Sequence, residues 1–173
     1  MTTCWCRSMA MSTSAVTLGI MGEGPHEAKL RERVATLGLD RRVSFQRWGA
    51  PANVANFLRC LDTLVLLTRT TKDVREQFGR VIIEAQACGV PVIGSNCGAI
   101  PDVVGDGGWI VPERDPQALR DVLDQLAADA ALVRAKGLVA RSNVQARFTY
   151  EAVATAIETA CRAAADARSH LKS

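Results

Sequence analysis

Two glutamates, Glu76 and Glu84, have a type and spacing that suit sugar and phosphate chemistry. The run Glu76-Gln77-Phe78-Gly79 leads into a predicted helix, and Glu84 lies about one and a half turns inside it. Unpaired N–H groups at a helix start attract an anion such as a diphosphate, and glycine at position 79 lets that anion approach the backbone. The carboxylates can accept hydrogen bonds from vicinal sugar hydroxyls. A nucleotide sugar has both a diphosphate and vicinal hydroxyls, so it suits this arrangement. The alternative is that Glu76 is a solvated loop residue and Glu84 a charge on the helix surface.

Two other loops are candidates, because ligands of open parallel sheets bind at the carboxyl ends of the strands. Loop 22–25 holds Gly22 and Gly24, a G-x-G pair that lacks the third glycine of a dinucleotide fingerprint. Loop 96–106 is typical of a turn with a short helix. The sequence has no Asp-x-Asp pair and no histidine cluster, so we expect neither a metal nor a cofactor.

Short apolar runs alternate with helical patterns along the chain, and these elements must position the loops. Strands are predicted over residues 15–21, 42–45, 64–68, 91–95 and 109–111. Helices are predicted over residues 26–38, 51–61, 78–89 and 116–127, with Asp115 as the N-cap of the last, and again beyond residue 129. Continuous apolar strands indicate a sheet covered on both faces. The predicted class is therefore α/β, with a doubly wound, Rossmann-like parallel sheet.

Length, composition and charge exclude several classes of protein. The 173 residues suit one domain, and 48% hydrophobic with 23% charged residues is typical of a folded globular chain. A net charge of +3, with both signs interspersed, does not indicate nucleic acid as a partner. No apolar run is long enough to span a membrane, so we expect a cytoplasmic protein with at most peripheral membrane contact. The six cysteines form no C-x-x-C pair and are interpreted as small hydrophobes.

A resemblance to a known family is carried by several strings: GEGP at 22–25, LGL and RVSF within 37–45, EQFGRVIIEA and CGVPVI within 76–93, CGAIPDVV at 97–104, and GWIVP at 108–112. In this order they resemble the C-terminal Rossmann-like domain of retaining glycosyltransferases of family four, also known as glycosyl transferases group 1. Those enzymes have a B-type fold of two such domains separated by a cleft. The resemblance covers residues 15–148 and implies the same doubly wound sheet.

The resemblance implies roles for individual residues. Glu76 is the catalytic candidate and contacts hydroxyls of the donor sugar, while Glu84 contacts the ribose. The backbone of Gln77, Phe78 and Gly79 lies along the sugar and diphosphate. The remaining donor-binding candidates are Gly22, Gly24 and Arg47, the last where the base is expected. The implied partner is a nucleotide-sugar donor, and charge on the leaving diphosphate is stabilised by hydrogen-bond donors rather than by a metal.

The first fourteen residues depart from the family pattern. The family domain begins with a strand and a Gly-Arg turn followed by a lysine, and the nearest candidate here is Cys6-Arg7. We expect the first strand, which is central in such a sheet, to be missing. Strands 15–21 and 64–68 would then either pair directly or leave a gap with unsatisfied backbone groups. The expected division is an irregular or mis-assigned arm over 1–14, a Rossmann-like nucleotide-sugar-binding domain over 15–148, and a C-terminal helix and tail over 149–173.

The expected function is that of the donor-binding half of a glycosyltransferase, which transfers a sugar to an unidentified acceptor with retention of configuration. Because 173 residues leave no room for the acceptor-binding domain of the family, we expect a truncated chain that is inactive alone. One alternative is a subunit of a split enzyme, with an N-terminal Rossmann-like domain supplied in trans. Another is a non-catalytic nucleotide-binding or interaction module. We also expect an exposed apolar face on the last helix, formed by Val153, Ile157 and Cys161.

Overall fold

A computed structural model of the chain describes residues 16–170. The predicted arm over 1–14, with its Cys6-Arg7 pair, lies outside the described residues. The strands are β1 (Leu18–Met21), β2 (Val43–Gln46), β3 (Leu64–Leu66), β4 (Val92–Ser95) and β5 (Gly108–Val111). The helices are α1 (Glu27–Thr36), α2 (Pro51–Arg59), α3 (Arg80–Ala87), α4 (Ile100–Val104), α5 (Pro116–Ala128), α6 (Ala130–Arg147) and α7 (Tyr150–His170). One turn of 3-10 helix, Gly105–Gly107, connects α4 to β5.

The strand pairs in this part of the chain are all parallel, which confirms the predicted α/β, Rossmann-like class. β1 pairs with β2, with Ile20 opposite Phe45. β4 lies between β3 and β5, and its Ile93 is opposite both Val65 and Trp109. Within residues 16–170 the two sheets are not joined, because β1 and β3 form no hydrogen-bonded ladder. Among the described residues β1 and β3 therefore do not pair directly, and the absence of the family's first strand stays a prediction.

Two element boundaries differ from the sequence prediction for local reasons. β3 ends before Thr68, whose carbonyl accepts a hydrogen bond from the Ser95 hydroxyl at 2.6 Å. α3 begins at Arg80 rather than at residue 78, because Gly79 has a left-handed backbone with φ of 78°. A right-handed helix requires negative φ, so the helix can begin only after that glycine.

The predicted start of α5 is confirmed by its cap. The Asp115 carboxylate accepts hydrogen bonds from the backbone N–H groups of Gln117 and Ala118 at 3.0 and 2.9 Å. Pro116 follows as the first helical residue, where its missing N–H costs nothing. The sequence therefore determines this helix start locally.

Hydrophobic clusters on both faces of the larger sheet explain why its strands are continuous apolar runs. Val92 of β4 belongs to a cluster with Ile82 of α3 and Ile100 of α4. The next residue, Ile93, belongs to a cluster on the other face with Leu119 of α5. All five side chains are fully buried. Successive side chains of a strand point to opposite faces, so a strand covered by helices on both sides needs apolar residues at every position.

Helix α6 is attached to the core by a polar network. The buried Gln86 amide of α3 donates to the carbonyl of Val104 at 2.9 Å and accepts from the Asn143 amide of α6 at 2.7 Å. The Asn143 amide also donates to the Val103 and Val104 carbonyls at 3.2 and 3.3 Å. A β-carbon on Gly137 of α6 would lie 2.3 Å from the backbone oxygen of Gly89, so the helix backbone packs directly on the turn after α3.

The predicted exposed apolar face of the last helix is confirmed within the described residues. Val153 and Ile157 of α7 are 42% and 59% exposed, and Cys161 is exposed as well. No helix within residues 16–170 combines the length and apolar character needed to cross a bilayer. The cytoplasmic location and the domain limits at 14/15 and 148/149 stay predictions.

The cysteines of the described region are free thiols at residues 60, 88, 97 and 161. Their interpretation as small hydrophobes holds for Cys97, which is fully buried. It is wrong for Cys60, which follows the end of α2, and for Cys161 of α7, because both residues are exposed. Cys4 and Cys6 lie outside the described residues.

Replacement of Asn143 by alanine tests the network that attaches α6. The change leaves the buried Gln86 side-chain oxygen without its donor, and an unsatisfied buried acceptor costs about 1 to 3 kcal/mol. We expect the free energy of unfolding in urea to fall by about that amount. The matched control is Ser142→Ala, at the neighbouring exposed position of the same helix. Equal midpoints for the two variants would contradict this role of Asn143.

Candidate functional site

The connection between β3 and α3, residues 67–79, is called the β3–α3 loop, and it holds Glu76 in place from two sides. The hydroxyl of the buried Thr68 donates to Oε2 of Glu76 at 3.1 Å. The backbone N–H of Ala99 donates to the Glu76 carbonyl at 3.0 Å. Thr68 is itself fixed by the Ser95 hydroxyl at the end of β4. The side chain and the backbone of Glu76 are therefore both anchored to the larger sheet.

A cavity of about 740 Å³ lies beside Glu76 at the carboxyl end of β3, and we call it the β3–α3 cavity. Its lining consists of loop residues 70–77 together with Gly98 and Ala99. Glu76 and Gln77, two of the residues predicted from sequence, are therefore brought together on its wall. Lys72, Asp73 and Arg75 also line it, so two cations and two carboxylates face the same space. Such a wall can hold an anionic group and a polyhydroxylated group side by side.

The close approach of Gly98 to the β3–α3 loop requires a glycine. Gly98 has a φ of +58°, a left-handed backbone that residues with a side chain rarely adopt. A β-carbon built at this position would lie 2.0 Å from the backbone oxygen of Glu76. The turn before α4 therefore touches the Glu76 backbone directly and limits where the loop can lie.

Three other predicted residues lie just before or within α3 and do not line the β3–α3 cavity: Phe78, Gly79 and Glu84. Gly79 is the N-cap, and the helix start has no side-chain cap, which leaves its N–H groups for another acceptor. Glu84 is partly exposed on α3, with Oε1 4.0 Å from Nη2 of Arg80. The Phe78 ring packs edge to face against Phe148, at 5.7 Å between centroids. Phe78 thereby anchors the β3–α3 loop to the end of α6.

A second cavity, of about 440 Å³, lies at the carboxyl ends of β1 and β2, and we call it the β1–β2 cavity. The predicted residues Gly22, Gly24 and Arg47 all line it. The Arg31 guanidinium lies 4.2 Å from the centroid of the Phe45 ring, at the wall of the same cavity. Five of the eight predicted residues therefore line two separate cavities, each at the carboxyl end of one sheet, and Phe78, Gly79 and Glu84 line neither.

Sequence reasoning missed Glu113, which connects three strand ends. The Thr70 backbone N–H and hydroxyl each donate to the Glu113 carboxylate at 2.7 Å. The Glu113 N–H donates to the Asn96 side-chain oxygen at 2.8 Å. The hydrogen bonds from the Thr70 hydroxyl and then its N–H hold the pKa of Glu113 below the ordinary value. The sequence signal that could have identified Glu113 is its position, because it follows the carboxyl end of β5 as Glu76 follows that of β3.

A comparison with family models and curated proteins gives consistent matches. The family model for glycosyl transferases group 1 matches residues 6–129. The N-acetyl-alpha-D-glucosaminyl L-malate synthase of Bacillus anthracis is 36% identical over 142 residues, 81% of this chain and 35% of that protein. The GDP-mannose-dependent monoacylated alpha-(1-6)-phosphatidylinositol monomannoside mannosyltransferase of Corynebacterium glutamicum is 35% identical over 136 residues, 76% of this chain and 35% of that protein. This chain spans about a third of the length of these relatives.

A solved structure matches most of the chain. The crystallised C-terminal domain of a glycosyl transferase group 1 family protein, LpcC from Francisella tularensis, superposes with a TM-score of 0.74 at 25% identity. The match covers 86% of this chain and 80% of that one. The described fold is therefore similar to a domain that has been crystallised separately.

Replacement of Gly98 by alanine tests the contact between the α4 turn and the β3–α3 loop. The new β-carbon would meet the Glu76 backbone oxygen, so the loop must move, and the left-handed backbone adds strain of about 1 to 2 kcal/mol. Gly38→Ala is the matched control, because Gly38 has a similar φ of +66° with nothing within 4 Å. We expect Gly98→Ala to lower the free energy of unfolding by at least about 1 kcal/mol more than the control. Equal losses would show that the contact does not constrain the loop.

The pH dependence of stability tests the Glu113 contacts. A carboxyl whose pKa is lowered on folding stabilises the native state at pH values above its ordinary pKa of 4.5. That stabilisation is lost as the pH falls through the lowered pKa. We therefore expect the free energy of unfolding to decrease less steeply below about pH 4.5 in Glu113→Gln than in the unmodified chain. Glu32→Gln, which removes the same charge from an exposed position of α1, is the matched control against which the slope of Glu113→Gln is compared. An unchanged slope in Glu113→Gln would contradict the prediction.

Proposed function

The chain belongs to the glycosyl transferases group 1 family, as a C-terminal domain of the B-type fold, and on that premise we propose that it binds the nucleotide-sugar donor of a retaining glycosyltransferase. The observation that carries the proposal is Glu76, which is held on the wall of the β3–α3 cavity by Thr68 and Ala99. The chain spans about a third of the length of its curated relatives. The sugar-transfer activity of a whole enzyme is therefore also part of what we propose.

Glu76 is the residue proposed to hold the donor sugar. Its Oε2 accepts from Thr68, while Oε1 has no hydrogen-bond partner among residues 16–170. That oxygen is therefore available to accept a sugar hydroxyl, and a charge-assisted hydrogen bond of this kind contributes about 1.5 to 3 kcal/mol. As the catalytic candidate, the carboxylate is assigned the role of stabilising the positive charge that develops on the sugar during transfer.

The diphosphate and nucleoside are proposed to extend away from Glu76. The uncapped start of α3, with the backbone of Gln77, Phe78 and Gly79, offers N–H donors to the diphosphate, and Lys72 and Arg75 add positive charge from the loop. These donors would stabilise the leaving diphosphate without a metal ion. Glu84 is assigned to the ribose hydroxyls.

The β1–β2 cavity is proposed as the site of the base. Arg47 and the glycines Gly22 and Gly24 line it, and the stacked pair of Arg31 and Phe45 forms its wall. Flat cationic and aromatic surfaces suit a nucleobase. The donor class is supported by the Corynebacterium glutamicum relative, whose name describes an enzyme that depends on GDP-mannose.

Transfer itself is proposed to need a second domain that holds the acceptor. The bond between the anomeric carbon and the diphosphate oxygen breaks, an acceptor oxygen bonds the same face of the sugar, and the acceptor proton leaves with the diphosphate. Residues 16–170 supply one wall of this reaction site, and the exposed face of α7 with Val153 and Ile157 is available for contact with another domain. We therefore propose that the isolated chain binds donor without turnover.

Donor binding by Glu76→Gln tests the proposed function. We expect one sugar nucleotide from a panel of UDP-, GDP- and ADP-sugars to raise the unfolding temperature, with about 2.7 kcal/mol of stabilisation at 100 times its Kd. Glu76→Gln should weaken binding of that sugar nucleotide at least about tenfold while affinity for the bare nucleotide is retained, since only the sugar contact loses its charge. Calorimetric titration measures both affinities.

Glu84→Gln is the matched comparison, because a ribose contact is common to both ligands and both affinities should fall together. Equal binding of sugar nucleotide and bare nucleotide, unaffected by Glu76→Gln, would favour the non-catalytic nucleotide-binding module. Sugar transfer by the pure chain alone would contradict the proposed need for a second domain.

A further inference from the structure

The middle of the β3–α3 loop, residues 69–75, supplies most of the residues that line the β3–α3 cavity. All seven residues are exposed, so burial of apolar surface does not hold this segment in place. A turn closes the segment on itself, because the Thr71 N–H donates to the Val74 carbonyl at 2.9 Å and the Val74 N–H donates to the Thr71 hydroxyl at 3.1 Å. The turn gives the segment a local shape but does not determine where it lies relative to the sheet.

Thr70 attaches the segment to the ends of the strands. Among the described residues, the hydrogen bonds that join 69–75 to other parts of the chain all involve Thr70. The Glu113 carboxylate accepts two of them, from the Thr70 N–H and hydroxyl, and the Cys97 sulfur lies 3.4 Å from the same hydroxyl. Hydrogen bonds to an ionised acceptor are stronger than those to a neutral one. Glu113 is therefore the main polar anchor of the segment.

Glu113 is itself fixed at the end of the larger sheet. Its backbone N–H donates to the side-chain oxygen of Asn96 at 2.8 Å. The Asn96 N–H in turn donates to the carbonyl of Val111, the last residue of β5, at 3.1 Å. Glu113 is not among the residues that line the cavity. It can therefore affect a ligand in the cavity through the segment that it anchors, rather than by direct contact.

The anchored segment carries the two cations that the proposed function assigns to the diphosphate. Lys72 and Arg75 line the cavity, and neither forms an ion pair within the described part of the chain. In a nucleotide sugar the β-phosphate carries the sugar, so this phosphate would lie beside Glu76, while the nucleoside extends toward the β1–β2 cavity. A displaced segment would move positive charge away from the β-phosphate and leave the nucleoside contacts in place.

We propose that Glu113 is a positioning residue for donor binding, which holds residues 69–75 so that Lys72 and Arg75 face the β-phosphate of the donor. This inference rests on the proposed function, because that function assigns the ligand to the cavity. The charge of Glu113 acts in the opposite direction, since a carboxylate near an anion weakens the binding of that anion. A loss of affinity on removal of Glu113 would therefore report the position of the segment and not the charge of the carboxylate.

The experiment measures three affinities of the full 173-residue chain by calorimetric titration. The probes are the sugar nucleotide that stabilises the chain most in the panel of UDP-, GDP- and ADP-sugars, the matching nucleoside diphosphate and the matching nucleoside monophosphate. We expect Glu113→Ala to weaken binding of the first two at least about tenfold and of the monophosphate less than about twofold.

Two further variants separate hydrogen bonding from charge. Glu113→Gln removes the same charge but keeps an oxygen that can accept from the Thr70 N–H and an amide that can donate to the Thr70 hydroxyl. It should therefore bind all three probes within about threefold of the unmodified chain. Asp121→Ala, which removes a carboxylate from an exposed position of α5, is the matched control and should leave the three affinities unchanged.

Amide hydrogen exchange of the unliganded chain tests the anchor separately from the ligand. The Thr70 N–H donates to Glu113, so its exchange should become at least about tenfold faster in Glu113→Ala. The Leu64 N–H, which donates to the Pro91 carbonyl of the same sheet, is the internal control and should exchange at the original rate.

Two results would overturn the role of Glu113 and leave the proposed function intact. In the first, the unmodified chain binds the sugar nucleotide, and Glu113→Ala either keeps all three affinities or weakens them equally. In the second, the Thr70 amide exchanges at the same rate in Glu113→Ala and in the unmodified chain. A third result, in which the unmodified chain binds none of the sugar nucleotides, would overturn the proposed function and the role of Glu113 with it.

Discussion

Strand β4 has no exposed face, and the position of the candidate site depends on that burial. Val92, Ile93, Gly94 and Ser95 are all buried. A β-carbon on Gly94 would lie 2.4 Å from a methyl group of Ile100, so α4 packs directly on the strand. The buried Ser95 hydroxyl then anchors Thr68, and Thr68 anchors Glu76. A short chain of contacts thus connects the most buried strand to the carboxylate that we assign to the donor sugar.

The two parallel sheets give the two halves of the proposed donor site different supports. The β3–α3 cavity lies on the larger sheet, where Glu113 and Asn96 connect the ends of three strands through Thr70. The β1–β2 cavity lies on the smaller sheet, whose core is a separate cluster around Val34 and Val43. A donor that spans both cavities would bridge the two sheets. Sugar recognition and base recognition therefore depend on different parts of the core.

Local sequence signals predicted most elements of this fold. The order of strands and helices and the cap at Asp115 were predicted from periodicity and capping, and the exposed face at Val153 and Ile157 from the family resemblance. The strings around Glu76 and Gly98 pointed to the family, which the comparisons then confirmed. Residue roles at the site stay predictions, although the structure places Glu76 and Gln77 on one cavity and Gly22, Gly24 and Arg47 on another.

The sequence by itself determined the class of fold and the carboxyl-end loops, because hydrophobic period, caps and glycine turns are properties of neighbouring residues, and its resemblance to known strings indicated the family. Only the tertiary structure decided that Glu113 binds Thr70, 43 residues away, that Gly98 touches the backbone of Glu76, and that β1 and β3 remain apart. Each of these depends on which strand ends and edges meet across the sheets. Such contacts join residues far apart in the chain, and no local pattern encodes their geometry.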